Sequence, residues 1–76
     1  MENGISPLSA EGWIIDMFSS RAAASGGVIR RKKRDIERYV GMTEFTQELQ
    51  RRGFQAIENA GQIVIFCNHD TIRQIL

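Results

Sequence analysis

Five consecutive basic residues, Arg30, Arg31, Lys32, Lys33 and Arg34, are the most concentrated charge in this sequence of 76 residues. Residues 30–52 carry a net charge of +4, whereas residues 1–29 carry −2 and residues 53–76 carry −1. An anionic partner would therefore meet the protein at its middle third. Because side chains alternate along a strand, only part of this basic run can face one partner.

The single thiol and the single imidazole, Cys67 and His69, lie two residues apart. A nucleophilic cysteine needs a base within hydrogen-bond reach and a group that orients that base, and no oxyanion site accompanies this pair. We interpret Cys67 as a small core residue at a strand end, with His69 and Asp70 in a loop. One cysteine allows no intramolecular disulfide, and no Cys/His set has zinc-site spacing. We predict no catalytic residue, metal ligand, cofactor or small-molecule substrate.

Length and composition indicate a single folded domain over residues 1–76, with residues 1–8 flexible. Hydrophobic residues make up 42% and charged residues 25% of the chain, as in ordinary globular proteins. A chain of this size buries only about 60% of its unfolded surface, so we expect self-association to add stability. The longest early apolar run is Trp13 to Ile15, which predicts neither a signal peptide nor a membrane span and favours a cytoplasmic location.

The first half of the chain predicts one helix and one strand. Ser9 can cap a helix over residues 9–22, because apolar side chains recur on one helical face. Those side chains are Trp13, Ile14, Met17 and Phe18. After the breaker at Ser25, Val28 and Ile29 favour a strand over residues 27–33 that runs into the basic residues.

Two short helices follow the strand. Asp35 is a good N-cap for a helix over residues 35–40, and Gly41 is a natural stop. Thr43 can then cap a helix over residues 43–52, which Gly53 ends. Met42, Phe45 and Leu49 form the buried side of this helix, whereas Glu48 and Arg52 make a favourable i, i+4 pair.

The stretch from Phe54 to Cys67 predicts a β-hairpin with strands at residues 54–58 and 62–67. A two-residue turn at Ala60-Gly61 would pair Glu58 with Ile63, whereas a three-residue loop would pair Glu58 with Gln62. We favour the three-residue loop, because alanine is a poor first residue for a type I′ turn. The preferred register gives two apolar faces. One face holds Phe54, Ala56, Val64 and Phe66, and the other holds Ile57, Ile63, Ile65 and Cys67.

The elements predict an α+β fold, a three-stranded antiparallel sheet with three helices in the order α, β, α, α, β, β. Because both faces of the hairpin are apolar, both need cover. Two helices could each cover one face, but a twofold homodimer could equally cover the second. We expect a non-catalytic binding module whose interface uses Trp13, Phe18, Val64 and Phe66. The last residues, 71–76, are ambiguous between a helical turn capped by Asp70 and a further strand.

This element order resembles the winged-helix family of DNA-binding domains over residues 9–67, with Gly41 in the turn between the two central helices. The resemblance implies that the helix over residues 43–52 enters the major groove and that the hairpin is the wing. The resemblance also implies that one set of residues contacts nucleic acid. These are Arg30, Arg31, Lys32, Lys33 and Arg34, with Gln47, Gln50 and Arg51 on the helix.

The fragments "GGVIRRK", "RRGF" and "IFCN" also resemble short bacterial chains, some of which carry the name phosphoribosylanthranilate isomerase. The match spans about residues 12–76 and contains no catalytic signature. That enzyme family is a (β/α) barrel of eight strands, which takes at least about 200 residues. We therefore transfer no catalytic residue from that family.

Overall fold

Helices and strands follow one another in the predicted order along residues 9–76, which are the residues that the computed structural model describes. The helices are α1 (Ala10–Phe18), α2 (Arg21–Ala24), α3 (Lys33–Tyr39) and α4 (Met42–Arg52), and the strands are β1 (Val28–Lys32), β2 (Gln55–Asn59) and β3 (Gln62–Phe66). The α+β class is confirmed. The segment expected to be flexible, residues 1–8, lies outside the described residues.

The three strands form one antiparallel sheet in the order β1-β3-β2, so the last strand lies at its centre. Val28 lies opposite Phe66 at one end of the β1–β3 pair, and Lys32 lies opposite Gln62 at the other. Each predicted strand is right to within about one residue at either end, as is usual for element boundaries.

The helix predicted over residues 9–22 is divided in two at Ser19 and Ser20. The Ser9 hydroxyl accepts a hydrogen bond from the Gly12 amide at 3.0 Å, so the predicted cap of α1 is present. Ser20 then takes an extended conformation, and its hydroxyl accepts from the Ala23 amide at the start of α2. A serine that caps a new helix interrupts the old one, because its side chain competes with the backbone.

The caps predicted for the two central helices are not used. α3 begins at Lys33 and α4 at Met42, and neither has a side-chain cap. Asp35 lies in the first turn of α3, where its charge still favours the helix dipole. Gly41, with φ of 94°, stands at the start of α4 in place of Thr43. The predicted stop at Gly53 is correct, since this glycine is left-handed with φ of 75°.

The predicted hairpin register is wrong by one residue. Glu58 pairs with Ile63 and Asn59 with Gln62, which leaves the two-residue turn Ala60-Gly61. Both turn residues have positive φ, 51° for Ala60 and 78° for Gly61, as a type I′ turn requires. Alanine therefore adopts the left-handed conformation that we considered unfavourable, and the flanking strands impose it.

The slip exchanges the predicted faces of β2, because one residue of register moves every side chain to the opposite side. Ala56 lies opposite Ile65, and Ile57 lies opposite Val64. The core lies on the Ile65 side and takes residues from α1, α3 and α4. Its members are Ile14, Met17, Phe18, Ile29, Ile36, Phe45, Leu49, Ile63, Ile65 and Cys67. The helices thus cover one face together, rather than one face each.

Ala60→Asn should stabilise the protein by about 0.5–1 kcal/mol, because asparagine tolerates positive φ better than alanine and Asn-Gly favours the type I′ turn. Urea unfolding followed by circular dichroism measures the change. Gly61→Ala is the matched control. Its new Cβ would meet no atom within 4 Å, so no steric clash contributes. The backbone strain of alanine at φ of 78° should destabilise the protein by about 1 kcal/mol. Equal stability of all three proteins would contradict the turn described here.

Candidate functional site

The sheet face turned away from the helices carries three rows of side chains, which we call the open face. Cross-strand pairing places Val28, Phe66 and Gln55 in the first row, Arg30, Val64 and Ile57 in the second, and Lys32, Gln62 and Asn59 in the third. Val28 is 48% exposed and Ile57 47% exposed, whereas Val64 and Phe66 are half-buried. Four apolar side chains therefore meet solvent side by side on this sheet.

The polar part of the open face is basic or neutral. Arg30 and Lys32 lie on the β1 edge, and the other polar members are the amides Gln55, Asn59 and Gln62. The only carboxylate on the three strands, Glu58, is in the row of Ile63 and Arg31 on the opposite face. The open face thus combines apolar surface with positive charge and has no acidic residue of its own.

The basic run is divided between surfaces, as strand alternation predicts. Arg31 points to the helical side and donates from Nη1 to the Arg30 carbonyl at 2.8 Å. Lys33 starts α3, and its Nζ lies 3.4 Å from the Glu58 carboxylate. Within residues 9–76, neither Arg30, Lys32 nor Arg34 has an ion pair. These three cations are the part of the run available to an anion.

A shallow groove joins the end of the basic run to the hairpin tip. Lys32, Lys33, Arg34 and Glu37 line one side, and the turn residues Ala60 and Gly61 with Gln62 line the other. The Lys33 amide donates to the Gly61 carbonyl at 2.9 Å, which fixes the start of α3 against the turn. The tip of the hairpin and the basic segment therefore belong to one end of the molecule.

The outer side of α4 carries the other residues expected to contact nucleic acid. Gln47, Gln50 and Arg51 are exposed there, but Phe45 and Leu49 on the inner side pack in the core. Since α4 lies on the covered side of the sheet, its outer surface and the open face look in opposite directions. The structure does not bring these residues together with Arg30 and Lys32.

Glu48 lies on the side of α4 that faces α1, where its side chain is 14% exposed and is held by two arginines. Its Oε2 lies 2.5 Å from Arg51 Nη2 and 2.6 Å from Arg52 Nε. Burial raises the pKa of Glu48, but the hydrogen bonds and charges of Arg51 and Arg52 outweigh burial and hold this pKa below its usual value. The predicted Glu48–Arg52 pair is present, and Arg51 is engaged with the same carboxylate.

The four residues predicted for an interface do not form one surface. Val64 and Phe66 lie on the open face. Trp13 and Phe18 belong to α1 on the helical side. There the rings of Trp13 and Tyr39 are stacked, with their centres 5.9 Å apart. Phe18 is a core residue, 9% exposed, and the Arg52 guanidinium lies 4.4 Å from its ring centre.

Cys67 and His69 have separate structural surroundings. Cys67 is buried in the core, and burial raises the pKa of its thiol despite the nearby Arg52 charge. The His69 ring packs against the Phe54 ring, with the two ring centres 6.0 Å apart, and its Nε2 lies 3.0 Å from the Arg52 carbonyl oxygen. This contact fixes residue 69 at the end of α4. A raised thiol pKa is the opposite of what a nucleophilic cysteine needs.

Sequence reasoning missed Val28 and Ile57 as members of the exposed apolar surface. Val28 was recognised only as a strand residue, and the incorrect register assigned Ile57 to the opposite face. The two-residue turn at Ala60-Gly61, which was the alternative considered, places Ile57 beside Val64 and would have identified the surface.

Comparison with known proteins gives no relative: no protein-family model, curated protein or solved structure matches this chain. Within residues 9–76, no helix has the length and apolar character needed to cross a membrane. The same residues contain no group of three or more His, Cys, Asp or Glu side chains that could hold a metal ion. The open face and the outer side of α4 are the surfaces on which a partner could bind.

Glu48→Gln should destabilise the protein by about 1 kcal/mol at neutral pH, because it removes a carboxylate shared by two arginines. Since folding lowers the pKa of Glu48, its contribution is complete above the unfolded value of 4.5 and is lost as the pH falls through the folded pKa. The stability difference from the native protein should therefore shrink below pH 4.5. Urea unfolding at several pH values measures it.

The matched control is Glu44→Gln on the same helix, since Glu44 is exposed and has no ion pair within residues 9–76. Its effect on the free energy of unfolding should be small. A difference for Glu48→Gln that stays constant through the acid range would contradict the described ion pairs.

Proposed function

We propose that this protein is a small non-catalytic binding module of the cytosol, and that its open face binds a second copy of the same chain. The observation that carries the proposal is the group of four apolar side chains left uncovered on the sheet, Val28, Ile57, Val64 and Phe66. Contiguous apolar surface of this kind marks interaction sites in soluble proteins. A small chain with a limited core also gains stability by association.

Self-association of this kind is usually symmetric about a twofold axis, so each contact between the two copies occurs twice. The apolar residues lie in the first two rows of the open face, Arg30 lies at the β1 edge of the second row, and Lys32 lies in the third. A partner that covers the first two rows would leave Lys32 at the rim, where a charge stays hydrated. The arrangement matches an apolar interface centre with a polar edge.

Ile57→Gln should weaken self-association by about tenfold or more while changing monomer stability little, because Ile57 is 47% exposed. Sedimentation velocity across a dilution series measures the dissociation constant. Ile15→Gln is the matched control, since Ile15 is 53% exposed but lies on α1 at the helical side. Equal weakening by the two variants would refute the choice of face. A native protein that stays monomeric throughout would refute self-association.

A second candidate is nucleic-acid binding, which the absence of acidic residues on the open face favours. Arg30 and Lys32 share that face, and Lys32 also lines the groove at the hairpin tip with Arg34. A basic surface with neutral amides suits phosphates and base edges. A winged-helix arrangement would instead use Gln47 and Gln50 on α4.

For this candidate, fluorescence anisotropy with labelled duplex and single-stranded DNA should show affinity that falls steeply as salt rises. Replacing Arg30 and Lys32 together by glutamine should reduce the salt slope by about 2, as expected for two phosphate contacts. Replacing Arg21 and Arg38 by glutamine removes equal charge from exposed sites elsewhere and serves as the control. Binding lost instead in Gln47→Ala and Gln50→Ala would favour the α4 surface, and no binding at low salt would exclude this candidate.

A further inference from the structure

Residues 71–76, which we call the arm, hold apolar side chains that the rest of the described chain does not cover. Ile72 is 38% exposed, Ile75 92% and Leu76 108%. The arm forms neither helix nor strand, although both had been considered for it. The described structure therefore has two uncovered apolar features, the arm and the open face.

The spacing of the arm residues suits a helical turn. Ile72, Ile75 and Leu76 stand at i, i+3 and i+4, which places them on one side of a helix but divides them between two sides of a strand. Arg73 and Gln74 would then lie on the other side. An isolated helical turn is unstable in water, so the arm would form it only when docked on a surface.

The arm is poorly placed to cover its own open face. His69 is fixed to the Arg52 carbonyl, so the chain enters the arm on the helical side of the sheet. Sheet and helical layers lie about 10 Å apart, and passing round the edge would use about three residues of extended chain. This passage would use residues 70–72, so Ile72 could not dock on its own open face together with Ile75 and Leu76.

Direct packing of two open faces is also unfavourable. Three strands of five residues give a flat footprint of roughly 250 Å². A stable interface buries about 800 Å² on each partner. Two such faces would also bring two copies of Arg30 and Lys32 together with no acidic residue between them. Another element must supply apolar contact area while keeping its own cations, such as Arg73 of the arm, turned away from the face.

We propose that the arm of each copy docks as a helical turn on the open face of the other, with Ile72, Ile75 and Leu76 against Val28, Ile57, Val64 and Phe66. This inference rests on the proposed self-association and specifies the element that mediates it. The exchange is reciprocal, so each copy buries both its open face and its arm, which is more surface than the face alone supplies. Asp70, which directly precedes the arm, brings a carboxylate toward the basic edge of the partner's face.

The first test compares two double variants of the arm. Replacing Ile75 and Leu76 by serine should weaken the dimer by about tenfold or more, because it removes apolar contact at both exchanged arms. Replacing Arg73 and Gln74 by serine leaves the apolar side intact and should leave the dissociation constant unchanged. Neither variant touches the core, so sedimentation velocity reports association rather than unfolding.

The second test is a mixed disulfide between two differently tagged chains, one carrying Ile57→Cys and the other Leu76→Cys. Mild oxidation should link the two chain types, since the native Cys67 is buried and does not compete. Ile15→Cys paired with Leu76→Cys is the control and should link far less, because Ile15 lies on the helical side. Selective linkage through residue 57 supports exchange between copies.

The outcomes separate this inference from the proposed function. A dimer that persists in the Ile75 and Leu76 variant, without selective linkage to residue 57, would overturn arm exchange while self-association stands. A native chain that remains monomeric would overturn both proposals. A double variant that carries both Ile57→Cys and Leu76→Cys, stays monomeric and forms the disulfide within one chain would overturn arm exchange and show that the arm covers its own face.

Discussion

One helical layer covers one face of the sheet, and the rest of the structure depends on this constraint. Ile65 on the central strand is fully buried beneath the helices, together with Ile36 and Phe45. α1, α3 and α4 all contribute to that single core. No helix of the described chain remains for the other face, which is why apolar side chains at Val28 and Ile57 stay exposed.

That constraint also determines which charged side chains lie on each side of the sheet. Strand alternation sends Arg31 to the helical side and Arg30 and Lys32 to the open face. Glu58 pairs with Lys33, and Glu48 binds Arg51 and Arg52 on α4. Arg30 and Lys32, which have no ion pair within residues 9–76, are therefore next to the exposed apolar surface. This juxtaposition explains why a second copy and a nucleic acid are both reasonable partners to test.

The fold class was predictable because local signals agree with the long-range packing. Apolar spacing in α1 and α4 and the glycine at position 53 each indicated the element that forms. The register was not predictable, because Ala60 opposes the type I′ turn locally and only pairing across five residues of β2 and β3 overcomes that preference. The caps at Asp35 and Thr43 failed for a related reason, since the adjoining strand and Gly41 fix where the helices start.

The candidate site was predictable only in part. Val64 and Phe66 were identified correctly as strand residues on one face, but Trp13 and Phe18 were grouped with them from apolar character alone. Tertiary packing determines which face of a strand a helix covers. The sequence spacing shows that side chains alternate between two faces, but it does not show which face is covered. Strand alternation likewise predicted that the basic run is divided between two faces, but not that Arg30 and Lys32 lie on the face without helices.

The most direct measurement of the central claim is a dilution series followed by backbone and methyl NMR. If the open face is the partner surface, concentration-dependent shifts should be confined to Val28, Ile57, Val64 and Phe66 and to the arm. Ile15 and Glu44, on the helical side, should not move. Shifts centred on Ile15 and Glu44, or spectra that do not change with concentration, would contradict the account.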